Sequence, residues 1–529
     1  MRSLMRTLTR RDFLRHRAAG AIVLGLAAGL APVTARARVG TPLSMGNDTR
    51  SLAELSARLT GAVLLPDDPG YDTASTPANG RYRDIRPMAV AQCANEADIV
   101  TCVNWCRTNG VPPVVRAGGH SYAGFSTTTG LLLDISNLNS VSIDEQAGTA
   151  TTGGAALNGD MFRATADGPL FLPAGTCLGV GLGGLTLGGG IGYNTHWAGL
   201  TCDHLLASRI VTASGEVLEL DPSTYGDLFW ACRGGAGGSF GINTSFTYDL
   251  VRVPSRNISY YRFDYRGAEA AGAVLSAFHA ILQSAPPALN AVAMAQAAPI
   301  GSGGAREAID VMSRGQYIGP LDELSALVSP LLRVATPTRT ALEAKTFWDA
   351  QRIWASTEPP IHSFSGISRY APRPVPDAVL QQLVDLLVNC PSRTDTAYGS
   401  IWSLGWVGGD VVGAIGRTDT AYVHRDTMTL LRVSPEWEDD DPPAVGEGLM
   451  AWTQAAVSVI APHTANESYQ NFPDRAITDW QTAYYAENFE RLVDVKTTYD
   501  SGNLFANPQS IPTRRPAPAG AGRGVAQIP

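Results

Sequence analysis

The sequence predicts an α+β protein of two domains, and three features of the chain predict it. With 529 residues, the chain is too long for one ordinary domain. Residues 85–255 alternate short apolar strands, one or two helices and glycine-rich turns, whereas residues 256–460 alternate helical patterns with β-like stretches. Residues 461–515 then resume a denser pattern of motifs. We therefore expect two domains followed by a closing segment.

The first domain is predicted to contain one clear helix and several strands. Residues 95–108 carry apolar side chains at helical spacing, and Asn109–Gly110 is a pair that ends helices. Strands are predicted where apolar residues run together or alternate, at Val111–Val115, Leu131–Val141, Arg209–Leu220 and Phe246–Val253. Ser214–Gly215 predicts a hairpin turn within the third of these segments.

The second domain and the closing segment show longer helical patterns. The predicted elements are the helices Ala268–Leu282, Leu321–Leu332 and Pro376–Leu387 and the strand Ile401–Trp406. In the closing segment, a single helix is predicted over 479–498, because its aromatic and apolar residues recur four positions apart. Asp500–Ser501–Gly502 is expected to end that helix.

The first 37 residues are predicted to be a cleavable export signal and not part of the fold. Arg10–Arg11 precedes the apolar stretch Ala18–Pro32, and Ala35–Arg36–Ala37 has the small-residue pattern of a cleavage site. The paired arginines favour the twin-arginine route, which would place the protein in the periplasm or outside the cell. A short membrane anchor is the alternative.

The charge balance limits the possible partners. Removal of residues 1–37 takes away seven Arg and one Asp, so the formal charge falls from −8 to −14. An acidic exported protein is a poor partner for nucleic acid or for an anionic membrane. No later segment approaches a transmembrane helix in apolar length, so no stable membrane anchor is expected. Residues 38–84 are predicted to be a lead-in, and residues 516–529 a loose tail.

The seven cysteines give no metal or disulfide pattern. An odd number leaves at least one cysteine unpaired within the chain. Cys102 and Cys106 are spaced like a CxxxC pair, but they lie on the apolar face of the predicted helix over 95–108. Two small buried core residues are therefore favoured, and no metal site is predicted.

Two glycine-rich segments match the letters of common motifs but not their context. Gly179, Gly181 and Gly184 spell GxGxxG within a run that extends to Gly192, yet no apolar strand leads into it. Residues 237–241 spell GxSxG, but a strand and not a helix follows. Nicotinamide binding and hydrolase chemistry are both disfavoured. The glycine run itself indicates close approach of a cofactor to backbone N–H groups.

Four motifs, taken in order, resemble one family. They are Arg116–Gly124 around His120, Gly175–Thr176–Cys177 before the glycine run, Asp227–Gly235 with Phe240–Gly241–Ile242, and Tyr469-x-Asn471 with Asn507–Pro512. Together they resemble the berberine-bridge-enzyme-like family of the vanillyl-alcohol-oxidase superfamily of FAD enzymes. The resemblance implies a two-domain PCMH-type FAD-binding fold of the α+β class. In that fold, an antiparallel-sheet substrate domain is covered by helices, and the closing segment returns to the flavin.

The resemblance implies that FAD is bound covalently. His120 would bond the flavin 8α carbon and Cys177 the C6 carbon; relatives with the histidine bond alone leave Cys177 as a lining residue. Further cofactor-binding residues implied by the family motifs are Arg116, Gly118, Gly119, Ser121, Gly181, Gly184, Gly188, Gly241, Ile242, Asn471 and Asn507.

The resemblance also implies an oxidase. A hydride would pass from an alcohol or a sugar hemiacetal, in a carbohydrate or secondary metabolite, to FAD, and O₂ would become H₂O₂. Val180 lies where family members differ in oxygen access and favours an oxidase. The partners would be this small molecule and O₂, and not nucleic acid. A dehydrogenase or oxidative cyclase of the same fold, and a secreted binding protein with vestigial flavin motifs, are the alternatives.

Tyr469 lies where family oxidases carry a catalytic tyrosine, and Phe472 replaces the second aromatic of that motif. A tyrosine, with an ordinary pKa near 10, serves as a base only when its surroundings lower that pKa. Tyr422, His424 and Trp402 are candidate substrate residues of the second domain. A buried structural role for His424, and core packing for Trp402 and Trp406 on one strand face, are the alternatives.

Overall fold

The computed structural model describes residues 45–255, 258–355 and 362–514, without the side chains of residues 45–50. The predicted export signal at 1–37 and the tail at 516–529 lie outside the described residues.

The first sheet has four strands and ends at the first family motif. Its strands are β1 (Ala62–Leu64), β2 (Ala89–Gln92), β3 (Pro113–Arg116) and β4 (Leu131–Asp134), in the order β1-β2-β4-β3. Its helices are α1 (Met45–Ser56), α2 (Tyr71–Ser75) and α3 (Glu96–Asn109). The strands β2, β4 and β3 run parallel. Because β3 ends at Arg116, the His120 loop leaves from the carboxyl end of a parallel strand, where ligands commonly bind.

The second sheet is antiparallel in its described pairings. Its five strands are β5 (Val141–Asp144), β6 (Thr149–Gly153), β8 (Leu205–Thr212), β9 (Val217–Leu220) and β10 (Gly241–Asp249), in the order β5-β6-β10-β8-β9. A separate pair joins β7 (Leu170–Phe171) to β11 (Val251–Arg252). The helices are α4 (Asn158–Thr165), α5 (Leu182–Leu187), α6 (Thr195–Ala198) and α7 (Gly226–Ala231).

The third sheet is an eight-stranded antiparallel sheet. Its strands are β12 (Ile258–Arg266), β13 (Leu289–Ala297), β14 (Ile309–Tyr317), β15 (Arg339–Lys345), β16 (Ser363–Phe364), β17 (Ile367–Ala371), β18 (Tyr398–Leu404) and β19 (Thr429–Trp437). The order is β15-β12-β14-β13-β18-β19-β16, and β17 also pairs with β19. The helices are α8 (Ala268–Leu282), α9 (Gly304–Glu307), α10 (Leu321–Val334), α11 (Phe347–Trp354), α12 (Asp377–Val388), α13 (Asp410–Gly413) and α14 (Pro443–Ile460). The predicted antiparallel sheet with covering helices is confirmed.

The two faces of the third sheet have different neighbours. Odd-numbered strand residues such as Phe263, Val311 and Val433 are buried against the helices α8, α10, α12 and α14. Even-numbered residues of the same strands, such as Val292 and Leu430, are buried with Ile191, Tyr193, Tyr422 and Tyr469. Because side chains alternate along a strand, the sheet separates its helical core from the face that meets the glycine run.

The predicted strand over 131–141 is wrong as one element. The chain leaves the first sheet at Asp134 and enters the second at Val141. Between them, the carboxylate of Asp134 accepts a hydrogen bond from the Ser136 N–H. Ser, Asn and Asp side chains of this kind favour turns, and they interrupt the apolar pattern.

The predicted single helix over 479–498 is also wrong, because the chain breaks at Ala486. The helix α15 (Trp480–Tyr485) is followed by one 3₁₀ turn and by α16 (Phe489–Tyr499), and Ala486 has φ of +40°. The Asn488 side chain at the break donates to the carbonyl oxygens of Arg417 and Thr420. The predicted stop at Asp500 is confirmed. Tyr484, Tyr485 and Leu492 are buried together with residues of α7 and β10.

One helical segment corrects the expectation that no later segment approaches a transmembrane helix. Residues 443–463 are long and apolar enough to cross a bilayer by length and composition alone. In the structure, Leu449, Trp452, Ala456 and Ile460 pack into the hydrophobic core beneath the third sheet. Core helices satisfy the same test, so core packing explains the apolar composition of this helix.

The cysteines behave as predicted. All seven are unbridged, and Cys102 and Cys106 are fully buried on α3, which confirms their core role.

A buried ion pair joins α16 to the rest of the fold. The Lys496 ammonium donates to Asp500 at 2.6 Å and to the carbonyl oxygens of Ser239 and Phe505 at 2.6 and 2.7 Å. Both charged side chains are fully buried, and burial lowers the pKa of Lys496. A charge at this depth is tolerated only with its partner in place.

We expect Asp500→Asn to lower the free energy of unfolding by about 3–5 kcal/mol, because it leaves a buried ammonium without its counter-charge. Thermal and denaturant unfolding, followed by circular dichroism, measure the loss. Asp494→Asn on the same helix removes only an exposed pair with Arg514 and is the matched control, with an unchanged Tm expected. Equal losses of unfolding free energy in the two variants would show that the buried pair of Lys496 and Asp500 matters no more than the exposed pair.

Candidate active site

Two loops that carry the first two motifs meet backbone to backbone. A Cβ atom built on Gly118 would lie 2.9 Å from the Gly179 carbonyl oxygen and closer still to the Gly181 nitrogen. One built on Gly181 would lie 2.9 Å from the Gly118 nitrogen. Only glycine permits this approach on both sides. The contact places the His120 loop directly beside the loop that follows Cys177.

Arg116 holds the His120 loop from behind. Its buried guanidinium donates to the carbonyl oxygens of Ala74, Ser75 and Ser126 at 2.7, 2.9 and 2.9 Å. Burial lowers the pKa of Arg116 to about 10. These bonds position the loop, and the predicted cofactor contact of Arg116 stays a prediction.

The turn around His120 is ordered by local hydrogen bonds. The His120 Nδ1 lies 2.7 Å from the Gly118 carbonyl oxygen, and the Ser121 hydroxyl accepts from the Phe125 N–H. Gly119 has φ of +74°, a left-handed conformation that suits glycine. Because a carbonyl oxygen only accepts, Nδ1 carries the proton in this hydrogen bond.

Cys177 lies between two residues, Thr176 and Leu178, that line a small cavity. Its thiol is half-buried and 3.5 Å from the Thr176 hydroxyl, and Asn158 donates to its carbonyl oxygen at 3.0 Å. The cavity has a volume of about 60 Å³, and Thr176, Leu178 and Tyr193 are among its lining residues. Tyr193 follows the glycine run without any motif of its own, so the sequence did not predict its place here.

The glycine run supports the hydroxyl of Tyr469. That oxygen accepts from the N–H groups of Gly190 and Ile191 at 3.0 and 3.3 Å and from the Asn471 amide at 2.9 Å. Burial raises the pKa of Tyr469 to about 12 and outweighs these three donors, which act in the opposite direction. At neutral pH the residue is therefore a phenol, surrounded by groups that would stabilise its anion.

Two further predicted glycines of the run, Gly188 and Gly184, have different surroundings. A Cβ atom on Gly188 would lie 2.6 Å from the Asn471 Nδ2, so this glycine makes room for Asn471. The Asn471 amide also donates to the Leu185 carbonyl oxygen at 2.9 Å. Gly184 is exposed, with no heavy atom near its missing Cβ.

Three predicted cofactor residues, Gly241, Ile242 and Asn507, make contacts within a strand pair and a turn. Gly241 and Ile242 are buried in β10 and pair with Thr212 and Val211 of β8. A Cβ on Gly241 would lie 2.5 Å from the Val211 carbonyl oxygen. The Asn507 side chain accepts from the Gln509 N–H at 2.8 Å and orders its own turn.

Two of the predicted substrate residues are buried one layer behind the glycine run. Tyr422 packs on Gly189, and its hydroxyl lies 2.7 Å from the hydroxyl of Tyr370. The His424 Nδ1 lies 2.6 Å from the Glu467 carboxylate, and burial lowers the pKa of His424 despite that neighbour. Both side chains are closed off from solvent. Their burial favours the structural alternative, and their predicted contact with a substrate stays a prediction.

Trp402 belongs to an aromatic group around Arg432, a residue that the sequence analysis missed. The Arg432 guanidinium carbon lies 5.1 Å from the Phe472 ring centre, 5.4 Å from that of Trp402 and 5.8 Å from that of Tyr122. The available signal was a cationic residue in a largely apolar strand, Thr429–Trp437, whose other charged residue is Glu436. Trp406 lies beyond the end of β18, not on one strand face with Trp402, and packs on Tyr193.

Within the described ranges, no group of three or more His, Cys, Asp or Glu side chains is placed to hold a metal ion.

Two sequence families match the segments that form this site. A family described as "FAD binding domain" matches residues 87–221, and one described as "Berberine and berberine like" matches residues 468–512. An uncharacterized FAD-linked oxidoreductase, YgaK of Bacillus subtilis, is 31% identical over 470 residues, covering 87% of this chain and 98% of the relative. Glucooligosaccharide oxidase of Sarocladium strictum is 27% identical over 466 residues, covering 84% and 91%.

Solved structures share the fold. The Physcomitrella patens BBE-like 1 protein superposes with a TM-score of 0.77 at 24% identity, covering 88% of this chain and 99% of the other. Glucooligosaccharide oxidase from Acremonium strictum, described with a 6-S-cysteinyl, 8α-histidyl FAD, superposes with a TM-score of 0.75 at 26% identity, covering 87% and 99%.

We expect Gly118→Ala to separate the two loops and to reduce the flavin content of the purified protein severalfold, with a lower Tm, because the added methyl group overlaps backbone atoms. Flavin absorbance per polypeptide and thermal unfolding measure both effects. Gly226→Ala is the matched control, because its Cβ would meet no atom and its φ is not left-handed. Full flavin content in Gly118→Ala would show that the contact is dispensable.

Proposed function

This chain belongs to the berberine-bridge-enzyme-like family of FAD-linked oxidoreductases, and we propose that it is an exported FAD-dependent oxidase acting on an alcohol or a sugar hemiacetal. The observation that carries the proposal is the glycine contact between the His120 loop and the loop after Cys177. It puts an imidazole and a thiol on neighbouring loops, in the part of the chain that matches an FAD-binding domain.

The residues present fit a covalently held flavin. An imidazole and a thiol can each bond the flavin ring edge, so His120 and Cys177 would hold it from adjacent loops. Both side chains are half-buried, so neither is closed off within the core. The backbone N–H groups of Gly118, Gly119 and Ser121 are candidates for the pyrophosphate. When bound, FAD supplies the acceptor for a hydride and passes both electrons to O₂.

The protein's own residues would handle the proton. Oxidation of a carbinol to a carbonyl removes one hydride from carbon and one proton from oxygen. We assign the proton to the oxygen of ionised Tyr469. The N–H groups of Gly190 and Ile191 and the amide of Asn471 would stabilise this phenolate, which accepts the proton and becomes a phenol. Two protons and two electrons delivered to O₂ then give H₂O₂.

Relatives favour a carbohydrate substrate. Solved neighbours include oxidases named for chitooligosaccharide and xylooligosaccharide, with TM-scores of 0.75 at 24% and 22% identity. The aromatic residues Tyr122, Trp402 and Phe472 form a wall on which a sugar ring would stack. Val180, three residues after Cys177, supports O₂ as the electron acceptor.

Export rests on the leader sequence. The Arg10–Arg11 pair and the apolar stretch that follows support the twin-arginine route, which would deliver a protein already loaded with its cofactor.

We expect yellow colour to remain with the acid-precipitated, washed polypeptide of purified mature protein. Cys177→Ala and His120→Ala should each shift the flavin spectrum and keep one bond, whereas the double variant should release the flavin to the supernatant. Cys390→Ala, a buried cysteine of the second domain, is the control and should leave the spectrum unchanged. Colour released by the unaltered protein would exclude covalent attachment, and colourless protein would exclude the flavoenzyme.

We expect Tyr469→Phe to slow anaerobic flavin reduction by a sugar or alcohol substrate about 10²–10⁴-fold while keeping the bound flavin. In the unaltered protein, the rate should rise with pH, since only ionised Tyr469 accepts a proton and its pKa of about 12 lies above the working range. Stopped-flow absorbance measures both. Tyr484→Phe, which removes a buried hydroxyl bonded to the Asp474 N–H, is the control.

An unchanged rate in Tyr469→Phe would remove this residue from its role. The reduced protein is then mixed with O₂. Rapid return of colour with release of H₂O₂ supports an oxidase, and lasting bleaching indicates a dehydrogenase.

A further inference from the structure

The face of the third sheet that meets the glycine run carries several arginines. Arg262 on β12, Arg314 on β14 and Arg432 on β19 are all even-numbered, like Val292 and Leu430, which are buried against this side. Arg262 is paired with a carboxylate of its own strand, whereas Arg314 and Arg432 are not.

Arg262 is neutralised by its own strand. Its Nε donates to the two carboxylate oxygens of Asp264 at 2.8 and 3.1 Å. Arg339 of the neighbouring strand lies 4.0 Å from the same carboxylate. This end of the sheet face therefore presents paired charge.

Arg432 has no such partner. Its Nε donates to the Ser434 hydroxyl at 2.6 Å, and among the described residues no carboxylate lies within ion-pair distance of it. Glu436, on the same strand face, interacts with Arg432 at longer range and accepts a hydrogen bond from the Tyr398 hydroxyl at 2.8 Å. The three rings of Tyr122, Trp402 and Phe472 surround its guanidinium at 5.1 to 5.8 Å. Cation–π contacts hold the group in place and leave its N–H donors largely unused.

Arg314 is similar. Its guanidinium carbon lies 4.6 Å from the Trp354 ring centre and 5.9 Å from that of Tyr193, and its Nε is buried without a hydrogen-bond partner among the described residues. The positive charges of Arg314 and Arg432 both act on Tyr193, whose pKa burial nevertheless raises to about 12. Tyr193 lines the small cavity together with Thr176, the neighbour of Cys177, so Arg314, 5.9 Å from the Tyr193 ring centre, lies near the loop that carries Cys177.

A guanidinium that is partly desolvated and lacks a counter-charge is unfavourable in the free protein and favourable once a carboxylate joins it. The planar fork of arginine matches a carboxylate with two hydrogen bonds. Tyr122 lies two residues after His120, and the Phe472 ring centre lies 5.1 Å from that of Tyr469. A carboxylate on Arg432 would therefore place the rest of its molecule beside both motifs.

We propose that Arg432, with Arg314 as a second cation, recognises a carboxylate on the substrate, so that the oxidised molecule is a hydroxyl compound bearing a carboxylate, such as a uronic acid. The proposal rests on the proposed oxidase function and names the substrate class of that site.

Binding is tested on the flavin-loaded protein with benzoate and benzamide, which share a shape, differ in charge and carry no oxidisable hydroxyl. Perturbation of the flavin spectrum and calorimetry give both Kd values. We expect benzoate to bind about ten- to hundredfold more tightly than benzamide, and Arg432→Gln to abolish the difference. Arg432→Lys should retain part of the preference, since it keeps the charge but loses the fork.

Arg262→Gln is the matched control, because it removes a guanidinium from the same sheet face that is already paired with Asp264. Its preference for benzoate should equal that of the unaltered protein. Equal binding of benzoate and benzamide by the unaltered protein would overturn the proposal, as would an equal loss of preference in Arg262→Gln and Arg432→Gln.

Activity provides the second measurement. The ratio of kcat/KM for D-glucuronate to that for D-glucose should exceed one and fall about tenfold or more in Arg432→Gln. A preference for glucose 6-phosphate over glucuronate would overturn the assignment of a carboxylate. If no sugar or alcohol reduces the flavin but benzoate selectivity holds, the oxidase function fails and the anion site stands. If neutral sugars are oxidised in preference, the oxidase stands and this inference fails.

Discussion

The site depends on one steric constraint, the backbone contact between Gly118 and Gly181. No side chain fits between the two loops on either side. Hydrogen bonds hold the second loop from its far side, where the N–H groups of Asn158 and Gly159 donate to the carbonyl oxygens of Val180 and Leu178 at 2.9 Å each. Arg116 secures the first loop in the same way, through backbone carbonyls. Both loops are thus ordered by the protein itself, which reduces the entropy lost when a cofactor binds.

A second constraint connects this pair of loops to the substrate face. The closing segment reaches the glycine run through Tyr469 and Asn471. It reaches the loop before β19 through Arg417, which pairs with Glu467 and Glu487. Ile191, Tyr469 and Leu430 belong to one buried cluster, although they come from three distant parts of the chain. A displacement of any of them would move the others, because a close-packed interior transmits strain.

The elements predicted well were those whose signals are local. The helix α3 is defined by its apolar spacing and by Gly110, and the loops around His120 and Cys177 by short motifs. The breaks at Ser136 and Ala486 were missed, because apolar periodicity continues across them while side-chain hydrogen bonds end the element. Arg432 and Tyr193 were missed for another reason. Their neighbours come from other strands and loops, and no spacing in the sequence records such contacts.

Net charge is a poor guide to the charge inside a site. The chain carries a formal charge of −8, yet Arg314 and Arg432, on the face of the third sheet that meets the glycine run, form no ion pair with a carboxylate among the described residues. The long-range field of an acidic protein repels anions, and physiological salt screens that repulsion within roughly 8 Å. A partly desolvated guanidinium acts at hydrogen-bond distance, where screening is weak. Preference for an anionic ligand at this site would therefore come from the pocket and not from electrostatic steering, and it would persist at ionic strengths that cancel the repulsion by the surface.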